Sequence, residues 1–366
     1  MASTFKTFIS DDIANTRTLL HEAIPITGSI VNGATYTDNQ GEETNIKTYG
    51  HGMFQSVYDY PYASSSANHI FDMALGCHED ASGSDITHPF YNKRKNIYSQ
   101  MAQVLVGHKV NGEVRKFDVD GDLTGGTEYN SLLFINFARL LGKDEIKKGT
   151  FSITLGTGSV FTERNDETDV ISDDGNESDY KVNSPAGEYS VLRMQNPNGN
   201  DPNEKIPCGL IYYQAGIVVL DSMVLHEEDV DPKQNNGYHH QPIHMLANGT
   251  QTIEEIINDI SISTDAVLTA VRQRIVDIQF SNTTELNSTI YFCRVGHNDF
   301  NYSSNPTYLE NSKIKVKNKT TDAPVSYITT VGLYSADNEM LAVAKLSEPL
   351  RKDPTNDITL RVRLDY

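Results

Sequence analysis

The chain reads as an α+β protein that is mainly β. A mixed helix/strand N-terminal region is joined to a C-terminal β-sandwich-like module. Three observations carry this reading. Ile358, Leu360, Val362 and Leu364 alternate with Thr359, Arg361, Arg363 and Asp365, a period of two that dries one strand face and wets the other. Just upstream, the β-like runs 327–334 and 340–346 flank a short polar turn at 335–339, which is a hairpin signature. From Thr289 onward the pattern is β to the end, whereas helical spacing is confined to earlier segments.

Taken in order, residues 10–23 predict a helix. Ser10 or Asp11 can cap it, Ile13, Leu19, Leu20 and Ala23 follow, and Pro25 forces an extended exit. Residues 29–60 hold short strand-like runs and glycine turns. Ile97, Met101, Val104 and Leu105 have helical spacing over 96–106, and Asn111-Gly112 then predicts a tight hairpin over 110–114. A second helix is predicted over 129–141, ended by Gly142. Residues 151–160 alternate as a strand. Residues 163–179 carry eight acidic residues and one Arg and read as a solvated loop. Strand character returns over 187–222, with 211–220 the most buried-looking run. A polar loop rich in Asn, Gln and His fills 227–250. Helices are predicted over 252–260 and 264–276, with Asp265 placed to suit the dipole of the second. At 366 residues the chain exceeds one ordinary core, and the expected divisions are 1–150, 151–282 and 283–366.

The net charge of −19 is unevenly placed. Residues 283–366 hold ten Lys/Arg and ten Asp/Glu, so the whole excess lies in 1–282. An acidic surface repels nucleic acid and anionic membrane, which disfavours both as partners. No run approaches eighteen apolar residues, so no membrane helix is expected. The three cysteines, Cys77, Cys208 and Cys293, lack CxxC spacing and suggest neither a disulfide framework nor a zinc ribbon.

Each chemical motif fails on spacing. Asp118, Asp120 and Asp122 alternate as calcium-loop carboxylates do, but the sixth loop position is Leu123 where an EF-hand has Gly, and the twelfth is Tyr129 where it has Glu. The sequence therefore reads a polar turn there and assigns no metal. His240 and His244 have zinc-helix spacing, yet Pro242 lies between them, and His239 adds no HExxH order. Leu155-Gly-Thr-Gly-Ser159 lacks the Lys and spacing of a phosphate loop. Cys77-His78 forms no triad by adjacency alone. Asp166, Glu167, Asp169, Asp173 and Asp174 sit on a loop that cannot fix a glycosidase pair. No catalytic residue and no cofactor is assigned, and the chain reads as a non-enzyme.

There is no Trp, but there are 19 Tyr. Tyr couples a large contact area to a polar tip, which suits interfaces and strands alike. Tyr58, Tyr60 and Tyr62 are spaced at two and share one face if the segment is extended, making them interface candidates. Packing of the same rings inside their own subunit is the equal alternative.

The segments Leu19-Leu-His-Glu-Ala-Ile-Pro-Ile-Thr-Gly28, Tyr49-Gly-His-Gly-Met-Phe-Gln-Ser-Val-Tyr-Asp-Tyr-Pro-Tyr62, Phe134-Ile-Asn-Phe-Ala-Arg-Leu-Leu141 and Phe300-Asn-Tyr-Ser-Ser-Asn-Pro-Thr-Tyr308, with the closing hairpin, carry a family likeness. They resemble virion structural proteins of marine contractile-tailed phages, typified by those infecting cyanobacteria. The likeness runs over most of the chain and is weakest at 160–205 and 227–250. It implies a virion component and does not fix which one; the expectation built on it is a structural subunit of the tail, in the baseplate or neck, assembled with other virion proteins as a ring or cluster of copies. The alternative it leaves is a receptor- or glycan-binding tail module with hydrolase activity.

Overall fold

The computed structural model describes residues 5–33, 35–80, 89–137, 144–156, 168–173, 180–195, 205–221, 264–301, 309–311, 313–314, 321 and 325–366. In chain order the strands are β1 (Ile13–Thr27), β2 (Ile46–Thr48), β3 (Phe54–Tyr58), β4 (His69–Cys77), β5 (Phe117–Asp118), β6 (Glu128–Tyr129), β7 (Ser131–Asn136), β8 (Glu145–Ile146), β9 (Ser152–Gly156), β10 (Thr168–Ser172), β11 (Lys181–Ser184), β12 (Gly187–Gln195), β13 (Lys205–Tyr212), β14 (Ile217–Asp221), β15 (Ile275–Val295), β16 (Leu309–Glu310), β17 (Lys313–Ile314), β18 (Ser326–Tyr334), β19 (Met340–Lys352) and β20 (Ile358–Asp365). The helices are α1 (Gly28–Val31), α2 (Pro89–Leu105) and α3 (Thr264–Arg274). The protein is α+β and mainly β, built on a large antiparallel sheet.

The chain divides into two compact units, Met1–Leu20 with Glu285–Tyr366, and His21–Thr284. The expected boundary at 150 falls inside the second unit, and the first 20 residues join the C-terminal one. Contiguous sequence segments miss this because strand pairing links distant parts of the chain.

In the His21–Thr284 unit the ladder order is β15-β9-β10-β12-β13-β14-β7-β4-β3-β2, with each of these pairs antiparallel. Both faces of its centre are buried, and alternation sorts the side chains. Leu133 and Ile135 of β7, with Phe71, Met73 and Leu75 of β4, join one core together with Val267, Leu268 and Val271 of α3. Leu132 and Phe134 of β7 join the other core with Ile97, Tyr98, Ala102 and Leu105 of α2. Each such buried Leu, Ile, Val or Phe contributes about 1.5–3 kcal/mol relative to exposure. On α3, the buried Arg272 donates to the Val31 carbonyl (2.7 Å) and pairs with Glu43, so its charge is not left alone in the core.

Residues 13–27 form β1 rather than part of a helix over 10–23. Ile13, Leu19 and Leu20 are exposed, so the apolar stripe that suggested a helix buries nothing, and pairing with β15 decides the backbone. The helix predicted over 129–141 is replaced by β6 and β7. A run buried on both faces has no period to betray it, and residues 138–141 lie outside the described residues. Within the supposed acidic loop 163–179, residues 168–172 are β10, paired to β9 and β12, with Ile171 buried. The run 211–220 is two strands, β13 and β14, folded about a turn with Gly216 at φ +63°. The turn at 110–114 is present, with Lys109 N–H donating to the Glu113 carbonyl (2.7 Å), but only Gly112 of the Asn-Gly pair takes positive φ. The predicted helix containing Ile97 is α2, and the one beginning at Thr264 is α3. Residues 227–250 and 252–260 lie outside the described residues.

In the other unit, β18 and β19 form the expected hairpin as a two-stranded sheet. Ser335 N–H donates to the Glu339 carbonyl (2.8 Å), and Asn338 takes φ +63° in the turn. The closing strand is β20, paired antiparallel to β15 from Ser288↔Asp365 to Val295↔Ile358. These are two ladders, and they establish no sandwich. Alternation within these strands predicts that Tyr327, Val331, Leu333, Ile358, Leu360, Val362 and Leu364 are buried, and of these Leu333 alone is fully so. Tyr327 is exposed and the other five are half-buried, although the alternation along β20 is kept.

Candidate functional site

Asp118 ends β5, and Asp120 and Asp122 lie in the loop that joins it to β6. Two anchors hold its base. The Tyr98 hydroxyl of α2 donates to the Tyr129 carbonyl (2.7 Å) and accepts from Phe117 N–H (3.3 Å), so one buried side chain clamps both strands. Val119 N–H then donates to the Thr127 carbonyl (3.0 Å). The Tyr189 hydroxyl donates to the Gly121 carbonyl (2.7 Å), and Asn183 Nδ2 donates to the Asp122 carbonyl (3.1 Å), tying the loop to β11 and β12.

The three carboxylates converge, each offering an oxygen within 4.8 Å of the other two. Asp120 and Asp122 are exposed, whereas Asp118 is 3% exposed. Its Oδ2 accepts from Leu123 N–H (3.0 Å), and its Oδ1 is buried with no N–H donor among the described residues; the carboxylates of Asp120 and Asp122 lie within hydrogen-bond reach of the Asp118 carboxyl. Burial first, and then the neighbouring Asp120, push the Asp118 carboxyl up to about 6. The sequence identified all three residues but not the burial of the first, which depends on the clamp from α2.

The tyrosine trio is not one extended face. β3 ends at Tyr58, and the chain turns before Tyr62. Tyr58 is half-buried between Tyr62 (centroids 6.3 Å) and His69 (5.3 Å), and Tyr60 meets Tyr36 edge-on at 5.3 Å. Tyr60 and Tyr62 are each 46% exposed, so the rings pack within the chain and still present an edge to solvent.

A cleft of about 380 Å³ opens beside Cys77, His78, Lys95, Tyr98, Arg115 and Lys116. Burial pushes the Cys77 thiol up to about 11, so it remains protonated at neutral pH and is no thiolate nucleophile. Burial, followed by the Lys116 charge, lowers His78. Lys116 Nζ pairs with Asp80 (2.6 Å) and Glu128 (3.2 Å), and Lys95 pairs with Glu79. Lys95 and Lys116 are thus each matched by a carboxylate beside the cleft.

On the β18–β19 hairpin, Gly332 stands opposite Val343, and the Tyr334 ring covers Gly332, where an added Cβ would lie 2.8 Å from it. Phe5 meets Tyr334 edge-on at 5.1 Å. Leu341 (68% exposed) and Val343 (56%) extend this apolar face into solvent. The hairpin itself is legible in the sequence, whereas its exposed apolar face is not.

His239, His240 and His244 lie outside the described residues, as do Thr157 to Ser159 of the glycine segment, Asp166, Glu167 and Asp174; Asp169 lies in β10. No protein-family model, curated protein or solved structure matches the chain.

Proposed function

We propose that this chain is a structural subunit of a contractile-tailed phage virion, built into the tail baseplate or neck through contacts between copies of itself. The observation that carries the reading is the β18–β19 hairpin. It forms a two-stranded sheet, and it turns Leu341, Val343 and Tyr334 toward solvent. A lone hairpin is marginal in water, and an exposed apolar face gains by being covered. A second copy is the occupant favoured by charge. The −19 excess lies in residues 1–282, so copies repel one another there, whereas residues 283–366 sum to zero and bring no net repulsion to a contact. Repetition of one such patch by symmetry builds a closed particle from a modest contact. The likeness of the chain to myophage virion proteins supplies the particle.

The test is quantitative mass spectrometry on gradient-purified virions of the phage that encodes the chain, with antibody labelling viewed by electron microscopy. The expected result is a fixed multiple of copies per particle, with label at the baseplate or neck. Absence from purified particles would overturn the reading.

A further inference from the structure

We propose that Asp118, Asp120 and Asp122 form a calcium site that locks the β5–β6 loop. The first support is the convergence of three carboxylates within 4.8 Å. The second is Asp118 Oδ1, buried on a side chain 3% exposed and reached by no N–H donor among the described residues, while the carboxylates of Asp120 and Asp122 lie against that side chain. A buried carboxylate oxygen without a donor is costly, and a cation held by the cluster supplies what it lacks. Gly126, whose added Cβ would lie 3.6 Å from this same oxygen, borders it without a side chain.

The objection raised by the sequence at the sixth loop position is met by the backbone. Calcium loops place Gly there because the chain must turn sharply. Leu123 adopts that left-handed conformation itself, at φ +60°, and donates its N–H to Asp118 Oδ2. A non-glycine residue held there stores about 1–2 kcal/mol of strain, so the loop keeps its shape against a local preference. The ligand set is all oxygen and carries three negative charges, only partly offset by Lys181 near Asp120. Hard oxygen donors on an irregular loop suit calcium better than a transition metal, with water completing the shell. Tyr129 replaces the bidentate Glu of the twelfth position, so the site is weaker than a sensor loop.

The experiment uses the full chain after chelator treatment and dialysis. Calcium chloride is titrated calorimetrically, and melting is followed with and without calcium. Saturable one-to-one binding with a Kd between about 10 μM and 1 mM is expected, together with a rise in Tm. Asp120→Asn/Asp122→Asn changes two exposed residues and should leave the circular dichroism spectrum unchanged. It should weaken binding by at least about tenfold and abolish the calcium-dependent rise in Tm. A merely structural turn would instead lower Tm equally with and without calcium. No saturation by about 10 mM calcium, unchanged binding in the double variant, or equal binding of magnesium would each overturn the proposal.

Discussion

Asp173 is a carboxyl held inside the larger unit. Its Oδ2 accepts from Gly149 N–H (2.6 Å) and from the Tyr213 hydroxyl (3.2 Å). Burial raises its pKa, and these hydrogen bonds oppose the rise without cancelling it. A carboxyl with a raised folded pKa binds its proton more tightly in the native state. Its contribution to stability is full below the unfolded value of about 3.9 and is lost as pH rises through the folded value. Asp173→Asn should remove this dependence. Urea unfolding of both proteins across about pH 4 to 7 should show the wild type losing ground to the variant as pH rises; parallel curves would contradict it. Nothing local in the sequence marks Asp173 as buried among its seven acidic neighbours of 163–179, because its donors lie 24 and 40 positions away. The Asp118 cluster was legible because its residues alternate within five positions. The tyrosine trio was legible as a group but not as packing, since the turn after Tyr58 depends on partners such as Thr44, whose carbonyl accepts from Tyr62 N–H.

At the scale of elements, locality again decides what could be read. The β18–β19 hairpin was legible because both strands and their turn lie in one window. The helix α3 was legible because its apolar residues recur at helical spacing. β1 and β7 were not. The apolar spacing in β1 imitates a helix, and the continuous apolar run of β7 fits either structure until its neighbours β4 and β14 are known. The contact of α2 with the sheet is close enough to test. Gly76 of β4 lies beneath it, and an added Cβ would stand 2.8 Å from the Phe134 ring and 2.9 Å from the Tyr98 backbone nitrogen. Gly76→Ala therefore pushes α2 off the sheet or distorts β4, at an expected cost of about 1–3 kcal/mol. Chemical denaturation should show this as a lower midpoint with little change in slope; an unchanged midpoint would mean that α2 does not rest on β4 at this position.

At the scale of the whole molecule, the first 20 residues and the last 82 form one unit while the charge excess belongs to residues 1–282. The charge asymmetry was visible in composition. The joining of the two chain ends was not, because no local pattern reports pairing across nearly the whole length. A neutral, strand-built unit with an exposed apolar hairpin is the physical basis for assembly between copies. Sedimentation velocity tests this most directly, on the wild type and on Leu341→Asp/Val343→Asp. Both positions are exposed in the chain alone, so the variant should keep the wild-type circular dichroism spectrum. In a contact between copies each new carboxylate is buried without a partner, at a cost of several kcal/mol. With about 1.4 kcal/mol per factor of ten, association should weaken at least about a hundredfold. The predicted result is a wild type that sediments as a closed oligomer and a folded variant that sediments as a monomer. A wild type that remains monomeric at every concentration, or a variant that assembles equally well, would contradict assembly through this hairpin.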